Sequence, residues 1–482
     1  MISLIASFAA IIIAYHTFGK VAERAFAPDD RETPAYAMND GVDFVPMKKW
    51  KAFLVELLNI AGTGPIFGAL MGACFGPVVF LWIVFGGILA GGVHDYMVGM
   101  ISERNEGKSI AELSGIYLGR HAKWLMRFFS ILLLVLTGTV FVTSPAALIA
   151  NLTPFKNDVN LWIAIILVYY ILATLLPIDK LIGKLYPVFG VILIIMAFSI
   201  VGGIIFGDYN IPEISFRNLH PKGLPVWPFM FVTVACGAIS GFHATQAPMI
   251  SKCIDSEKAG RDVFYGAMLK ESAIALVWAA AGVAFYGTTG GLNEALGKLG
   301  QSGTVYEIST GILGTFGGIL AIIGVVVCPI TSGDTAFRSA RLILSEITHL
   351  DQKKIKNRLI LTIPMLLVAG VLTKLDFNVL WRYFSWSNQT LAMITLWVIT
   401  SYLLRNKKKK RVSLISAVPA TFMTAVSVTY ILIADEGFRF TKSVAYPSGI
   451  GFAIVCFIGY LIVCYKVQQK RNARKESERS NP

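Results

Sequence analysis

The chain has 482 residues, 55% of them hydrophobic and only 15% charged, with 43 Lys and Arg against 29 Asp and Glu. Soluble proteins carry about 25% charged residues, so this balance excludes an ordinary soluble fold. Repeated apolar runs of about 20 residues predict an all-α polytopic protein of the lipid bilayer. The formal charge of +14 marks no nucleic-acid face, because the basic residues gather in alternate loops, as membrane topology requires.

Met1 to Phe18 lacks a basic start and a small-residue cleavage site, so it reads as a retained span and not as a signal peptide. Apolar windows predict about thirteen transmembrane helices, near residues 2–18, 52–72, 76–100, 125–150, 161–177, 186–207, 226–250, 263–287, 305–333, 358–373, 379–403, 412–433 and 445–465. Lys and Arg cluster at 20–51, 104–123, 180–184, 252–261, 338–358, 405–411 and beyond Lys466, each time after an odd-numbered span. That pattern puts the N-terminus outside and the C-terminus in the cytoplasm. It also makes spans two to six and seven to eleven two five-helix units of opposite sense, the five-plus-five inverted repeat found in secondary transporters. The expected layout is an N-terminal extra helix and loop (1–51), a first repeat (52–207), a second (208–403), two C-terminal helices (404–465) and a basic tail (466–482). Val140 to Ala146 and Val327 to Asp334, in the third helix of each unit, each set Pro beside a Thr-Ser pair.

Two stretches interrupt their own helices. Glu56 to Gly68 sets Asn59 and Thr63 beside Gly62, Gly64 and Pro65; Phe231 to Lys252 sets Ser240, His243, Thr245 and Gln246 among Gly237, Gly241 and Pro248. In hydrocarbon a broken helix is tolerated only where it is buried in protein or lines a cavity, and such a pair in two halves points to a transporter's central site. The candidate solute-binding residues are therefore Asn59, Gly62, Thr63, Gly64, Ser240, Gly241, His243, Thr245 and Gln246. The simpler alternative is that these glycines only permit close helix packing.

Ionisable residues inside a membrane are costly and mark ion or proton paths. His94 and Asp95 form such a pair, able either to exchange protons or to brace a helix end near the interface. Thr331, Ser332 and Asp334 offer hydroxyl and carboxylate oxygens to a proton or a hard cation such as Na+, unless Ser332 or Asp334 instead caps a helix beginning at Thr335. His243 could bind an acidic group of the solute or carry a proton. Glu56, Lys270 and Glu271 read as structural ion pairs or snorkelling groups near the inner face. Asn388 and Gln389 lie deep enough to bond between helices. The six cysteines have no metal-ligand spacing and read as small buried hydrophobes, with no resident metal or cofactor expected.

Four blocks, Gly64-Pro65-Ile66-Phe67-Gly68, His94-Asp95, Ser240-Gly241-Phe242-His243-Ala244 and Thr331 to Arg338, resemble the carbon starvation protein A (CstA) family from about Trp50 to Arg411. The resemblance implies a bacterial inner-membrane transporter for peptides or pyruvate with a five-plus-five inverted repeat. It implies solute held at Asn59 to Pro65 and Ser240 to Gln246, and a cation site between Ile60 to Thr63 and Thr331 to Asp334. The function expected is import of a small carboxylated nutrient by proton or sodium symport through alternating access. A membrane sensor with a cytoplasmic partner is the alternative, and a membrane enzyme is disfavoured because no catalytic set is visible.

Overall fold

The computed structural model describes residues 1–41, 43–153, 158–175, 178–406 and 410–480; Lys407 to Lys409 of the basic loop and the last two residues of the tail lie outside them. Among these residues the structure is helical, and the one β pairing is an isolated bridge between Met47 and Ile254. Helices α1 (Ile2–His16), α2 (Phe18–Phe26) and the short α3 (Pro34–Ala37) lead to α4 (Lys49–Ile60) and α5 (Gly64–Ala73), two halves of one helix bent by 49°. Helix α6 (Val78–Leu81) continues through π-helical turns at Trp82–Gly91 into α7 (Gly92–Arg104), followed by α8 (Ile110–Leu118), α9 (Arg120–Leu152), α10 (Val159–Leu175) and α11 (Ile178–Phe206). Helices α12 (Val226–Thr233) and α13 (Gly241–Ser251) flank a non-helical stretch, 234–240. After them come α14 (Gly266–Tyr286), α15 (Thr289–Ile322), α16 (Cys328–Thr348), α17 (Ile355–Leu372), α18 (Phe377–Asn406), α19 (Leu414–Ile433) and α20 (Lys442–Ser480).

Nine helical stretches among the described residues are long and apolar enough to cross a membrane, and a tenth if α4 and α5 count as one. The protein is a multi-pass membrane protein. Both interruptions anticipated from sequence are present. Pro65 sits in the first turn of α5, where its missing N–H costs nothing, and Gly237 adopts φ +85°, a conformation that side chains disfavour.

The ninth span differs from expectation. Gly314, at φ 62° and ψ −145°, breaks the 305–333 window, so the continuous run starts after it and reaches Thr348. A π-helical turn at Ile323–Val327 precedes Pro329; such a turn relieves the backbone bond that proline cannot make. Thr331 to Asp334 thus lie inside a helix already formed. Neither Ser332 nor Asp334 caps a helix start, and that alternative fails.

At the centre of the bundle α5 packs on α14 and α13 on α7, while α4 packs on α11 and α13 on α18. Helix α9 packs on α16, and α10 on α17. The α9–α16 contact is close because Gly138 faces Phe337, whose ring would lie 2.3 Å from any added Cβ. At one end of the bundle Glu213 caps α1 by accepting from the Ile2 and Ser3 amides at 2.9 and 2.8 Å. The N-terminal ammonium and Ser3 beside it hold the Glu213 carboxyl down to about 2.

Candidate functional site

The two interruptions meet. An added Cβ on Gly64 would lie 2.5 Å from the Cys236 sulfur, and one on Gly237 would lie 3.8 Å from Pro65. Each break has glycine where the other approaches, so packing and interruption are served by the same residues.

Around this contact lies a fully buried ionisable cluster. Asp95, on α7, accepts from His94 Nδ1 through one oxygen and from His243 Nδ1 through the other, both at 2.7 Å. Because an ionised carboxylate only accepts, both imidazoles turn Nε2 away as an acceptor in their neutral form. His94 Nε2 has no partner, and His243 Nε2 faces Glu271 Oε2 of α14 at 3.5 Å. Glu56, in the last turns of α4, has no partner on either oxygen and lies within electrostatic reach of Asp95, His243 and Glu271. Three carboxylates and two imidazoles are thus out of water. Unpaired buried charge is prohibitively costly, so the cluster is stable only when it holds a proton or another cation.

This geometry corrects three expectations. The His94-Asp95 pair does not brace a helix end at the interface; both residues are fully buried and tied to His243. Glu56 and Glu271 do not snorkel, because α4 and α14 turn them into the central contact, where Glu56 has no partner and Glu271 faces His243. Lys270 points away from Glu271, into a cavity of about 610 Å³ between α1, α11 and α14. Successive residues of a helix face about 100° apart, so a Lys-Glu dipeptide need not pair.

Several backbone groups freed by the second break are bonded by side chains of α18. Asn388 of α18 accepts from the Phe242 amide at 2.7 Å and donates to the Ala235 carbonyl, while Gln389 donates to the Phe231 and Val234 carbonyls, both at 3.1 Å. Ser240 Oγ donates to Asn388 Oδ1 at 3.2 Å, and Thr245 Oγ1 to the Phe242 carbonyl at 2.6 Å. Gln246 donates to Thr245 and Ser339 and keeps its own Oε1 unpartnered. The first break is less satisfied. Both amide atoms of Asn59 and the hydroxyl of Thr63 are buried without partners. Asn59 also lines a narrow cleft of about 20 Å³ with Asp43, Met249 and Lys252.

Ser332 Oγ reaches across to the Leu58 carbonyl at 3.3 Å, and the Gly62 backbone leaves it room. Thr331 Oγ1 returns to its own helix at Cys328 O, and Asp334 lies 3.5 Å from Arg338 one turn on. Of the residues grouped as cation-coupling, Ile60 and Ser332 therefore lie at the first break, His94 and Asp95 join His243, and Asp334 faces an arginine. Sequence reasoning missed Cys236, Glu56 and Glu271 as members of the centre, since their partners come from other helices. Four of the six cysteines are buried as expected, whereas Cys456 and Cys464 are half-buried.

Comparison with known proteins bears on what such a centre does. The family described as "Carbon starvation protein CstA" matches residues 1–154, 142–304 and 286–430. The chain belongs to this family. A Bacillus subtilis relative named "Peptide transporter CstA" is 25% identical over 97% of this chain and 96% of its own length. An "Uncharacterized membrane protein" of Haemophilus influenzae is 42% identical over 59% of this chain and 91% of its own. The Escherichia coli "Pyruvate/proton symporter BtsT" is 26% identical over 57% of this chain and 48% of its own. Crystal structures of an Eremococcus coleocola manganese transporter share the fold, one with a TM-score of 0.54 at 16% identity over 88% of this chain and 94% of its own. The CstA relatives are named as transporters, and the solved structures show a shared membrane-protein fold.

Proposed function

We propose that this CstA-family protein is a secondary transporter importing a small carboxylated nutrient, a short peptide or pyruvate, by alternating access coupled to a proton or sodium gradient. The observation that carries the reading is the contact of two broken helices around a buried cluster of three carboxylates and two imidazoles. Unpartnered Asn59 and Thr63 sit where the N-terminal turn of α5 favours a carboxylate. For a cation, the Leu58 carbonyl and Ser332 supply oxygens. For a proton, the chain His94, Asp95, His243, Glu271 supplies a path.

Packing supports the five-plus-five inverted plan. In that plan the first helix of each unit packs on the second of the other, third on third and fourth on fourth. These are the pairs α5 with α14, α13 with α7, α9 with α16 and α10 with α17. Notably, the proposed solute contact draws on the first break more than the second, because Asn388 and Gln389 already bond carbonyls and an amide at the second while Asn59 and Thr63 are unpartnered.

The test is counterflow and uphill accumulation of labelled pyruvate and dipeptide in proteoliposomes, with proton and sodium gradients imposed separately. Wild type should exchange solute and accumulate it under one of the gradients. Asp95→Asn, which keeps shape but not charge, should lose gradient-driven accumulation by at least about 100-fold, the scale on which positioned proton carriers act. Absence of counterflow for every carboxylated solute, or full accumulation by Asp95→Asn, would overturn the reading.

A further inference from the structure

Cys236 lies in the second break, one residue before Gly237. Its sulfur, His243 Nε2 and a Glu271 carboxylate oxygen all lie within 4.8 Å of one another, and all three residues are buried. These groups come from the break, from α13 and from α14, so their convergence is tertiary and left no spacing in the sequence. Around a tetrahedral ion, donors at about 2.0–2.3 Å sit roughly 3.3–3.8 Å apart, a spacing that His243 Nε2 and Glu271 Oε2 already have at 3.5 Å.

The surroundings are what a metal centre needs. Asp95 takes the Nδ1 proton of His243 at 2.7 Å, which leaves the Nε2 lone pair directed at Glu271. This is the carboxylate–histidine arrangement that orients ligating imidazoles. Neither His243 Nε2 nor either oxygen of Glu271 has a hydrogen bond of good geometry, although all are buried. Two acceptors facing each other at 3.5 Å repel unless a cation lies between them. A proton would satisfy that pair and leave the Cys236 thiol donating to Ser240 Oγ at 3.3 Å; a metal ion uses all three groups. Gly64 is the residue that leaves the sulfur its space.

We propose that Cys236, His243 and Glu271 form a binding site for one divalent, thiol-preferring metal ion of the zinc class, with Asp95 as the positioning residue behind His243. Thiolate, imidazole and carboxylate together suit Zn²⁺ over Mg²⁺ or Ca²⁺, which prefer oxygen alone. On binding, the Cys236 sulfur gives its proton to solvent and bonds to the metal. Three protein ligands leave a fourth position open to water or to a solute oxygen. Because the ligands sit on the second break, α13 and α14, the ion joins the broken helix to its neighbour. The site does not depend on the identity of the solute.

The experiment uses the full-length protein in lipid nanodiscs and reads metal directly, so its outcome is separate from that of the counterflow assay. Cd²⁺ titration should give one ion per chain with an ultraviolet thiolate-to-cadmium charge-transfer band, reversed by Zn²⁺. Cys236→Ser should remove the band, Cys328→Ser should keep it, and Asp95→Asn should weaken affinity by about 10–100-fold. Zinc-edge X-ray absorption of the wild type, which needs no variant to fold, should show one sulfur at about 2.3 Å with nitrogen and oxygen at about 2.0–2.2 Å. No band and no sulfur shell in the folded wild type, or a band that survives Cys236→Ser, would overturn the proposal.

Discussion

Asn388 shows how one side chain can make a broken helix tolerable. Its amide accepts from Phe242 N–H and donates to the Ala235 carbonyl, so a donor and an acceptor that hydrocarbon cannot satisfy are both paired. Asn388→Ala leaves both buried and unpaired, at roughly 1–3 kcal/mol each. It should lower the thermal unfolding midpoint in nanodiscs by more than Asn388→Asp, which keeps the acceptor. Equal midpoints for wild type and Asn388→Ala would show that water completes the break instead. That Asn388 bonds between helices was readable from its depth in an apolar run; what it bonds to was not, since its partners lie about 150 residues away. Glu56 and Glu271 illustrate the same limit. Their apolar neighbourhood was visible, but the face of the helix they occupy depends on which helices surround it, and that is a tertiary fact.

At the level of helices, the two breaks were legible because glycine, proline and small polar residues gathered inside apolar runs have few other uses in a bilayer. The ninth helix was not. Gly314 is one of four glycines between Gly311 and Gly318 and gives no signal distinct from a packing glycine, and a π-helical turn before Pro329 leaves no composition mark. The breaks carry a further consequence. Gly64 faces the Cys236 sulfur so closely that an added Cβ would sit 2.5 Å away, and neither α5 nor the break can yield without parting from the other. Gly64→Ala should cost about 1–3 kcal/mol by overpacking and slow solute exchange. Gly451→Ala, where an added Cβ meets nothing within 4 Å, should do neither. An unfolding midpoint for Gly64→Ala equal to that of Gly451→Ala would mean that the two breaks are not in firm contact.

Across the whole molecule, contacts between connecting segments respect the alternation of charge. Segments after odd-numbered spans meet one another: Arg104 with Glu257, Lys258 with Asp30, Ser109 with Glu346, and Arg405 with the Tyr117 carbonyl. Segments after even-numbered spans do likewise, as with Thr289 and the Leu219 carbonyl and Lys374 and Asn160, and the start of the first span at Ser3 meets Glu213 of one of them. These pairings are the ones that the alternation expected from the sequence requires. They also suggest how the lysine- and arginine-rich face is closed. Arg104 grips Glu257 through two nitrogens at 2.6 and 2.8 Å, and the Asp29 amide adds a third bond to the same carboxylate. Asp95 and Arg104 share α7 nine residues apart, about 14 Å along the axis, so this clasp lies between the buried cluster and the water on that side. Removing one charge of a hydrogen-bonded pair costs roughly 2–5 kcal/mol, and about 1.4 kcal/mol is a factor of ten. Glu257→Gln should therefore raise the rate at which an impermeant maleimide applied to that face modifies Asn59→Cys by at least about tenfold. An unchanged rate would mean that the clasp does not hold that mouth shut, and that closure rests on the packing of α4 against α13 instead.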